Sequence, residues 1–148
     1  MKQLFIRSAI LISILGISAS AVMAVEVDAW VGRYRAAWPG GSSGTDGELS
    51  IVKASKPDRW LLTSPTDKRA IELRPFLPGE YEGLHTAGTV KCLNGGNVAL
   101  CRGKPGTTVS FDGGGPVPEN FAVRTGYFGV LIQNGAAAFE LTKQGSTP

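Results

Sequence analysis

The sequence is poor in the residues that most enzymes use for catalysis. Its 148 residues include one histidine and two cysteines, and only 18% of the residues are charged. A single His leaves one imidazole for proton transfer near neutral pH. Two thiols and one imidazole are also too few for a usual structural zinc site, which takes four protein ligands. We therefore expect neither a metal nor another cofactor.

Clusters of basic residues are also missing. Lys68 and Arg69 form the only adjacent basic pair in the chain. Because a nucleic-acid-binding surface needs clustered Lys and Arg, we expect no nucleic acid as a partner. The Gly-rich segments 40–44 and 113–115 do not lead into Gly-Lys-Ser/Thr, so they do not form a phosphate-binding loop of the NTPase type.

Long apolar runs are absent beyond the N-terminus. There, Lys2 and Arg7 precede an apolar stretch over residues 8–18, and Val22 and Ala24 occupy the −3 and −1 positions of a cleavage site. This pattern predicts a signal peptide over residues 1–24, cleaved after Ala24. An N-terminal membrane anchor is the alternative, but the stretch is shorter than the ~20 residues of a spanning helix. We expect no stable membrane anchor after cleavage.

The mature chain would be residues 25–148, a single domain that is periplasmic or secreted. Loss of Lys2 and Arg7 lowers the formal net charge from +3 to about +1. The basic character of the full chain therefore comes largely from the leader, and the mature surface is nearly neutral.

Short alternating segments dominate the rest of the chain, which holds 20 Gly and 9 Pro. No segment has a convincing helix start. Apart from a Cys-containing hairpin, the predicted strands are residues 30–37, 48–54, 59–63, 69–74, 107–111, 121–124, 127–132 and 136–142. Many short strands with frequent turns predict an all-β fold. We expect a small antiparallel, mostly up-and-down barrel of about eight strands, with a two-sheet β-sandwich as the alternative.

The two cysteines, Cys92 and Cys101, flank the sequence Leu-Asn-Gly-Gly-Asn-Val-Ala-Leu. A turn at Gly95-Gly96 would pair Cys92 with Ala99. A turn at Gly96-Asn97 instead pairs Cys92 with Cys101, at a non-hydrogen-bonded site where strands are closest. Gly at the first central position fits a type II′ turn. The second register satisfies both the turn and a disulfide, which an exported chain favours.

The few groups with potential for catalysis lie in one segment. Glu80, Glu82 and His85 follow Pro78 closely. If this segment were a strand, Glu80 and Glu82 would share a face, and paired carboxylates can hydrolyse glycosides. A solvated, charged edge strand is the simpler interpretation. His85 has no Gly-x-Ser-x-Gly nucleophile motif to serve. We therefore expect a protein that is not an enzyme, with no catalytic residue.

Loop residues are the better candidates for binding, since loops carry function more often than strands. The loops with the most candidate binding residues are residues 38–46, 75–81 and 112–119. Trp38 and Phe76 each stand beside a Pro, which makes them rigid aromatic anchors for a partner. With them we select three further residues that can contact a partner, namely Arg33, Arg35 and Tyr127.

Two families resemble this chain in architecture. Trp30-Val31-Gly32-x-Tyr34 resembles the opening strand of calycin barrels such as lipocalins and avidins, although lipocalins have Gly-x-Trp. Small periplasmic lysozyme inhibitors are similar in their leader, short mature chain, antiparallel barrel and strand Cys followed by Gly, here Cys92 and Gly95. Their inhibitory Ser-Gly-x-x-Tyr loop is echoed by Thr125-Gly126-Tyr127 with a shorter spacing.

Two hypotheses about function follow. The first is a non-catalytic periplasmic protein that binds another protein, as an inhibitor of, or immunity protein against, a cell-wall hydrolase such as a lysozyme or amidase. The second is a lipocalin-like carrier of a small apolar ligand, which requires a cavity of several hundred Å³. A barrel packed solid by Trp60, Phe111, Phe128 and Phe139 would exclude the carrier. A glycan-active enzyme that uses Glu80 or Glu82 is a third, weaker hypothesis.

Overall fold

A computed structural model of the protein describes residues 28–38, 47–112, 121–132 and 136–145. The predicted leader, residues 1–24, lies outside the described residues, as do residues 39–46 and 113–119 of the predicted functional loops. The described residues form eleven strands and no helix. The strands are β1 Gly32–Ala37, β2 Gly47–Lys53, β3 Trp60–Thr63, β4 Ile71–Pro75, β5 Leu84–Thr86, β6 Lys91–Asn94, β7 Val98–Arg102, β8 Thr108–Phe111, β9 Phe121–Ala122, β10 Tyr127–Ile132 and β11 Ala136–Gly145.

Eight of these strands form a closed antiparallel barrel in the order β1-β11-β10-β7-β6-β4-β3-β2. The chain runs up and down around the barrel, and β11 closes it by pairing with β1. Closure leaves no unpaired edge in this sheet. The predicted all-β barrel of about eight strands is confirmed, and the sheet does not split into the two layers of a sandwich.

A second sheet, which the sequence did not predict, has the order β5-β8-β9. Strand β5 lies in the connection between β4 and β6, and β8 and β9 lie in the connection between β7 and β10. The predicted strands at residues 107–111 and 121–124 belong to this second sheet and not to the barrel. Strand patterns show which face of a strand is apolar but not which sheet receives it.

The barrel interior is packed by alternate residues of its strands, as the pleat requires. Leu49 and Ile51 of β2 face inward together, as do Ile71 and Leu73 of β4, because residues two apart share a face of a strand. The remaining buried members of this inner cluster are Trp30, Tyr34, Ala36, Trp60, Leu62, Leu93, Val98, Leu100, Phe139 and Leu141.

An outer cluster joins the barrel wall to the small sheet. Its buried members are Ala99, Cys101, Val109, Phe121, Val123, Phe128, Val130 and Ala138. Strands β7 and β10 therefore bury both faces, which explains why their sequences are apolar without alternation from Val98 to Cys101 and from Tyr127 to Ile132. In β11 both faces are buried only over residues 138–141.

The predicted hairpin and its disulfide are confirmed. Cys92 lies opposite Cys101 across β6 and β7, with Cα atoms 4.1 Å apart. The Gly95 N–H donates to the Val98 carbonyl at 2.8 Å, and Gly96 has φ +88°, as a type II′ turn requires at this position.

Candidate functional site

The two ends of the barrel differ in how they are filled. At one end, residues 28–31 cross the barrel opening before β1 begins, and we call this the closed end. Trp30 was predicted to lie within the first strand, but that strand begins at Gly32. The Asp28 carboxylate accepts a hydrogen bond from the Trp30 N–H at 2.9 Å, which makes a local turn instead of extended chain.

Asp28 anchors this closed end. Its second carboxylate oxygen accepts from the Trp60 indole N–H at 2.8 Å and lies 3.6 Å from Lys53 Nζ. Partial burial raises the pKa of Asp28, but the hydrogen bonds from Trp30 and Trp60 and the charge of Lys53 outweigh it, so the pKa lies below its ordinary value. Asp28 is therefore an ionised structural anchor.

The Ala29 carbonyl is a second point of attachment at the closed end. It accepts hydrogen bonds from the Lys143 ammonium at 3.1 Å and from the Tyr127 hydroxyl at 3.3 Å. The Tyr34 hydroxyl donates to the neighbouring Trp30 carbonyl at 2.7 Å. Desolvation raises the pKa of Tyr34, so its hydroxyl remains a donor. These bonds hold the closing segment against β1, β10 and β11.

The opposite end, which we call the open end, contains a cavity of about 430 Å³. It lies where β1, β4 and β7 begin or end, and its wall is made by the inward side chains of the barrel. The aliphatic residues of the wall are Ala36, Leu49, Leu62, Ile71, Val98 and Leu131. A concave apolar site of this size is typical of small-molecule pockets.

Two aromatic rings complete the cavity. Trp38, directly after β1, lies against Phe139 with ring centroids 4.6 Å apart. Phe139 occupies the space beside Gly129, where a Cβ would fall 2.1 Å from the ring. Because Gly129 has no side chain, the Phe139 ring can pack directly against the backbone of β10.

Polar groups also line the cavity. They are Ser64, Thr66, Asp67 and Asn97. Three of these lie in the connection between β3 and β4, and Asn97 lies in the β6–β7 turn. An apolar wall with a few polar groups suits a ligand with an apolar body and a polar end.

The five residues selected for partner binding do not form one surface. Trp38 lies at the open end and Tyr127 at the closed end. Arg33 and Arg35 lie on the outer face of β1, where Arg33 pairs with Glu48 at 3.2 Å. Phe76 is half-buried, and its ring stacks on Tyr81 at 4.6 Å. Of the five, only Trp38 contributes to the cavity at the open end.

The segment with Glu80 and Glu82 is a turn, so the shared strand face suggested for these carboxylates is wrong. Only residues 84–86 of this segment form a strand. Glu80 accepts two hydrogen bonds from Arg74 and one from the Leu77 N–H. Together with a hydrogen bond from Asn94, these lower the pKa of Glu80 to about 2. A carboxyl group held in this way stays ionised and is poorly suited to act as a general acid.

His85 lies on the small sheet, apart from these glutamates. Its Nε2 is 2.9 Å from Asp112 Oδ1, and both side chains are exposed. Its strand partner in β8 is Ser110. No hydrogen bond joins His85 to a hydroxyl or thiol group of the described residues, so the exposed His–Asp pair is a surface interaction.

The aromatic residues proposed to fill the barrel are divided between the two clusters. Trp60 and Phe139 are inside the barrel, whereas Phe111 and Phe128 belong to the outer cluster. As far as the described residues go, the barrel is therefore packed at its middle and closed end, and the cavity lies at the other end. The cavity wall cannot be predicted from the sequence, because inward-facing Leu49, Leu62 and Leu131 have the same pattern whether the space beside them is filled or not.

Comparisons of the chain with protein-family models, with curated proteins and with solved structures find no match. Within the described part of the chain, no three His, Cys, Asp or Glu side chains gather closely enough to hold a metal ion. No helix suited to crossing a membrane occurs among these residues. The Cys92–Cys101 disulfide is consistent with an oxidising, exported compartment.

Proposed function

We propose that this protein is a non-catalytic binding protein of an exported compartment, and that it accepts an apolar ligand in the open end of its barrel. The observation that carries the proposal is the cavity of about 430 Å³ walled by aliphatic and aromatic side chains. Filling such a site removes apolar surface from water, at about 25 cal/mol per Å² of area buried. The predicted leader and the disulfide support export.

The closed end supports a role in which the barrel holds a ligand and does not let it pass through. Residues 28–31 are bonded across the barrel through Asp28 and Ala29, so within residues 28–38, 47–112, 121–132 and 136–145 the cavity is reached only from the end beside Trp38. A ligand that enters beside Trp38 meets polar groups near the opening and apolar groups beyond them. We expect a ligand with an apolar chain or ring and one polar end.

The non-catalytic part of the proposal rests on how the polar side chains are engaged. Glu80 is hydrogen-bonded to Arg74. Asp28 is hydrogen-bonded to Trp60 and forms an ion pair with Lys53. Asp67 is the one acidic residue that lines the cavity among the described residues. A lone carboxylate can orient a ligand, but acid–base hydrolysis of a glycoside uses two.

Titration with a neutral apolar fluorophore, N-phenyl-1-naphthylamine, tests the proposal. We expect saturable, blue-shifted emission at one probe per chain, with energy transfer from Trp38. Ala36→Phe fills the cavity from β1 and should weaken probe binding about tenfold, equivalent to roughly 1.4 kcal/mol. Val52→Phe adds the same ring on the exposed outer face of β2 and should leave the affinity unchanged.

A second, milder variant covers the case in which Ala36→Phe misfolds. Trp38→Ala removes the aromatic ring at the opening while leaving every barrel strand intact, and it should both weaken binding and reduce the energy transfer, with Trp30 and Trp60 remaining as donors. Equal probe affinity in wild type, Ala36→Phe and Trp38→Ala, each folded by circular dichroism, would overturn the proposal.

We keep inhibition of a cell-wall hydrolase as a second proposal, supported by a different observation. Arg33 and Arg35 are exposed on the outer face of β1, the strand that ends directly before Trp38. Cations presented on a rigid strand can meet the carboxylates of a glycosidase cleft. Residual activity of a panel of lysozymes and amidases would be measured with wild type and with Arg33→Gln/Arg35→Gln. Full activity at a large excess of wild type across the panel would contradict it.

A further inference from the structure

The geometry points to a second binding site, at the closed end of the barrel, for a compact oxyanion such as a phosphate group. The site is a surface pocket of about 300 Å³ whose charged lining residues are Lys91, Arg102 and Lys104. Thr89 adds a hydroxyl group to the same pocket. Among the described residues, no Asp or Glu lines it.

The strand register places two of these cations face to face. Lys91 of β6 lies directly opposite Arg102 of β7. Side chains directly opposite each other in an antiparallel pair lie on the same face, and like charges in that position repel. An anion between them would turn this repulsion into two attractive contacts.

Arg102 has an unmet hydrogen-bonding requirement. Its Nε–H is buried and has no acceptor in the described structure. A buried donor without a partner costs its full desolvation, which makes it a feature that needs an explanation. Asp28, the carboxylate that anchors the closed end, is already engaged by Trp60 and Lys53.

The pocket is held in a defined shape. The guanidinium of Arg102 stacks over Trp30, with its central carbon 5.4 Å from the ring centroid. The Thr107 hydroxyl donates to the Lys104 carbonyl at 2.6 Å, and the Gly103 N–H donates to the Gly126 carbonyl at 2.8 Å. The loop that carries Lys104 is thus tied to its neighbours before any ligand arrives.

The chemistry of the lining residues identifies the ligand class. A guanidinium presents a planar fork of donors that matches phosphate, sulfate or carboxylate oxygens. Two ammonium groups beside it add charge without directional demand. The site therefore suits a compact group with two or more negative oxygens, whether free in solution or on a larger molecule.

Thermal unfolding of the leader-free chain in inorganic phosphate tests this site, with sodium chloride at equal ionic strength as the control. We expect phosphate, but not chloride, to raise the unfolding temperature in a saturable way. Arg102→Gln should weaken phosphate binding about tenfold or more, and Arg102→Lys should restore only part of it because the fork is lost. Arg69→Gln removes the same charge from the β3–β4 connection at the open end and should leave binding unchanged.

A second arm distinguishes a free anion from a lipid headgroup. Sedimentation with phosphatidylglycerol vesicles, compared with phosphatidylcholine vesicles, would show whether the same Arg102-dependent site accepts a phosphate carried on a membrane. The proposal is overturned if phosphate acts no differently from chloride, or if Arg102→Gln and Arg69→Gln bind phosphate equally. Because the probe is an anion at the closed end, the result is independent of the apolar cavity.

Discussion

The ring of Phe139 and the backbone of Gly129 are registered partners across β10 and β11, and the ring occupies the volume of the missing side chain. A Cβ at residue 129 would stand 2.1 Å from Cζ of Phe139. The same ring contacts Trp38 beside the cavity. One glycine thus decides where the largest side chain of β11 lies, and this side chain is part of the cavity wall.

Gly129→Ala should therefore destabilise the protein, because Phe139 must move towards Trp38 or strain its rotamer. We expect a loss of about 1–3 kcal/mol in the free energy of unfolding, measured by urea denaturation. Gly47→Ala is the matched control, since a Cβ there meets nothing within 4 Å. It should change stability by less than about 0.5 kcal/mol. Similar losses in both variants would show that Phe139 is not confined by Gly129.

The Arg74–Glu80 pair should make stability depend on pH in the acid range. The pKa of Glu80 is lowered to about 2 in the folded protein, from an ordinary 4.5. The group therefore stabilises the fold fully above its unfolded pKa, and this stabilisation is lost as the pH falls through the folded pKa. The affected range is pH 4.5 down to 2.

Glu80→Gln should consequently lower the unfolding temperature at pH 7 and lose this effect as the pH approaches 2. Calorimetric scans between pH 2 and 7 would measure the difference. Glu82→Gln, in the same turn but with no such partners described, should follow the wild-type curve. A Glu80→Gln difference that is constant across this range would contradict the prediction.

Glu140 is the most buried carboxylate among the described residues, and it holds the turn before β10. It accepts from the backbone N–H groups of Arg124 and Thr125, each at 2.6 Å. Glu140→Gln keeps the shape but weakens two charge-assisted bonds, so we expect a loss of about 1.5–3 kcal/mol. Glu72→Gln, which breaks an exposed pair with Arg59, should cost less than about 1 kcal/mol. Urea denaturation of both variants measures the contrast.

Removal of the disulfide should weaken the hairpin without opening the barrel. The bridge closes a short loop, with a sequence separation of 9, so its loss should cost about 2–3 kcal/mol at most. The double variant Cys92→Ala/Cys101→Ala should remain a barrel by circular dichroism and unfold at lower urea. A matching shift of the wild type in reductant, absent from the double variant, would assign the effect to the bridge.

Local sequence was a reliable guide wherever one residue pair or one turn decides the outcome. Cys92 pairs with Cys101 because the Gly96-Asn97 turn sets the register of both strands. Ile71 and Leu73 face inward because residues two apart share a face of a strand. The Glu80 segment was misread because Arg74 and Leu77 bind its carboxylate in a turn, and no periodic pattern records such a contact.

The sequence by itself determined the class of structure: short apolar-alternating segments, frequent Gly and Pro, and a cysteine hairpin leave an antiparallel β-fold as the outcome. Only the tertiary structure decided which strands close the barrel, which leave it for the second sheet, and where the interior stays empty. Those features depend on contacts between residues far apart in the chain, such as Trp38 with Phe139 or Asp28 with Trp60. Alternation specifies a face, whereas a cavity or a charged pocket depends on what several faces jointly enclose.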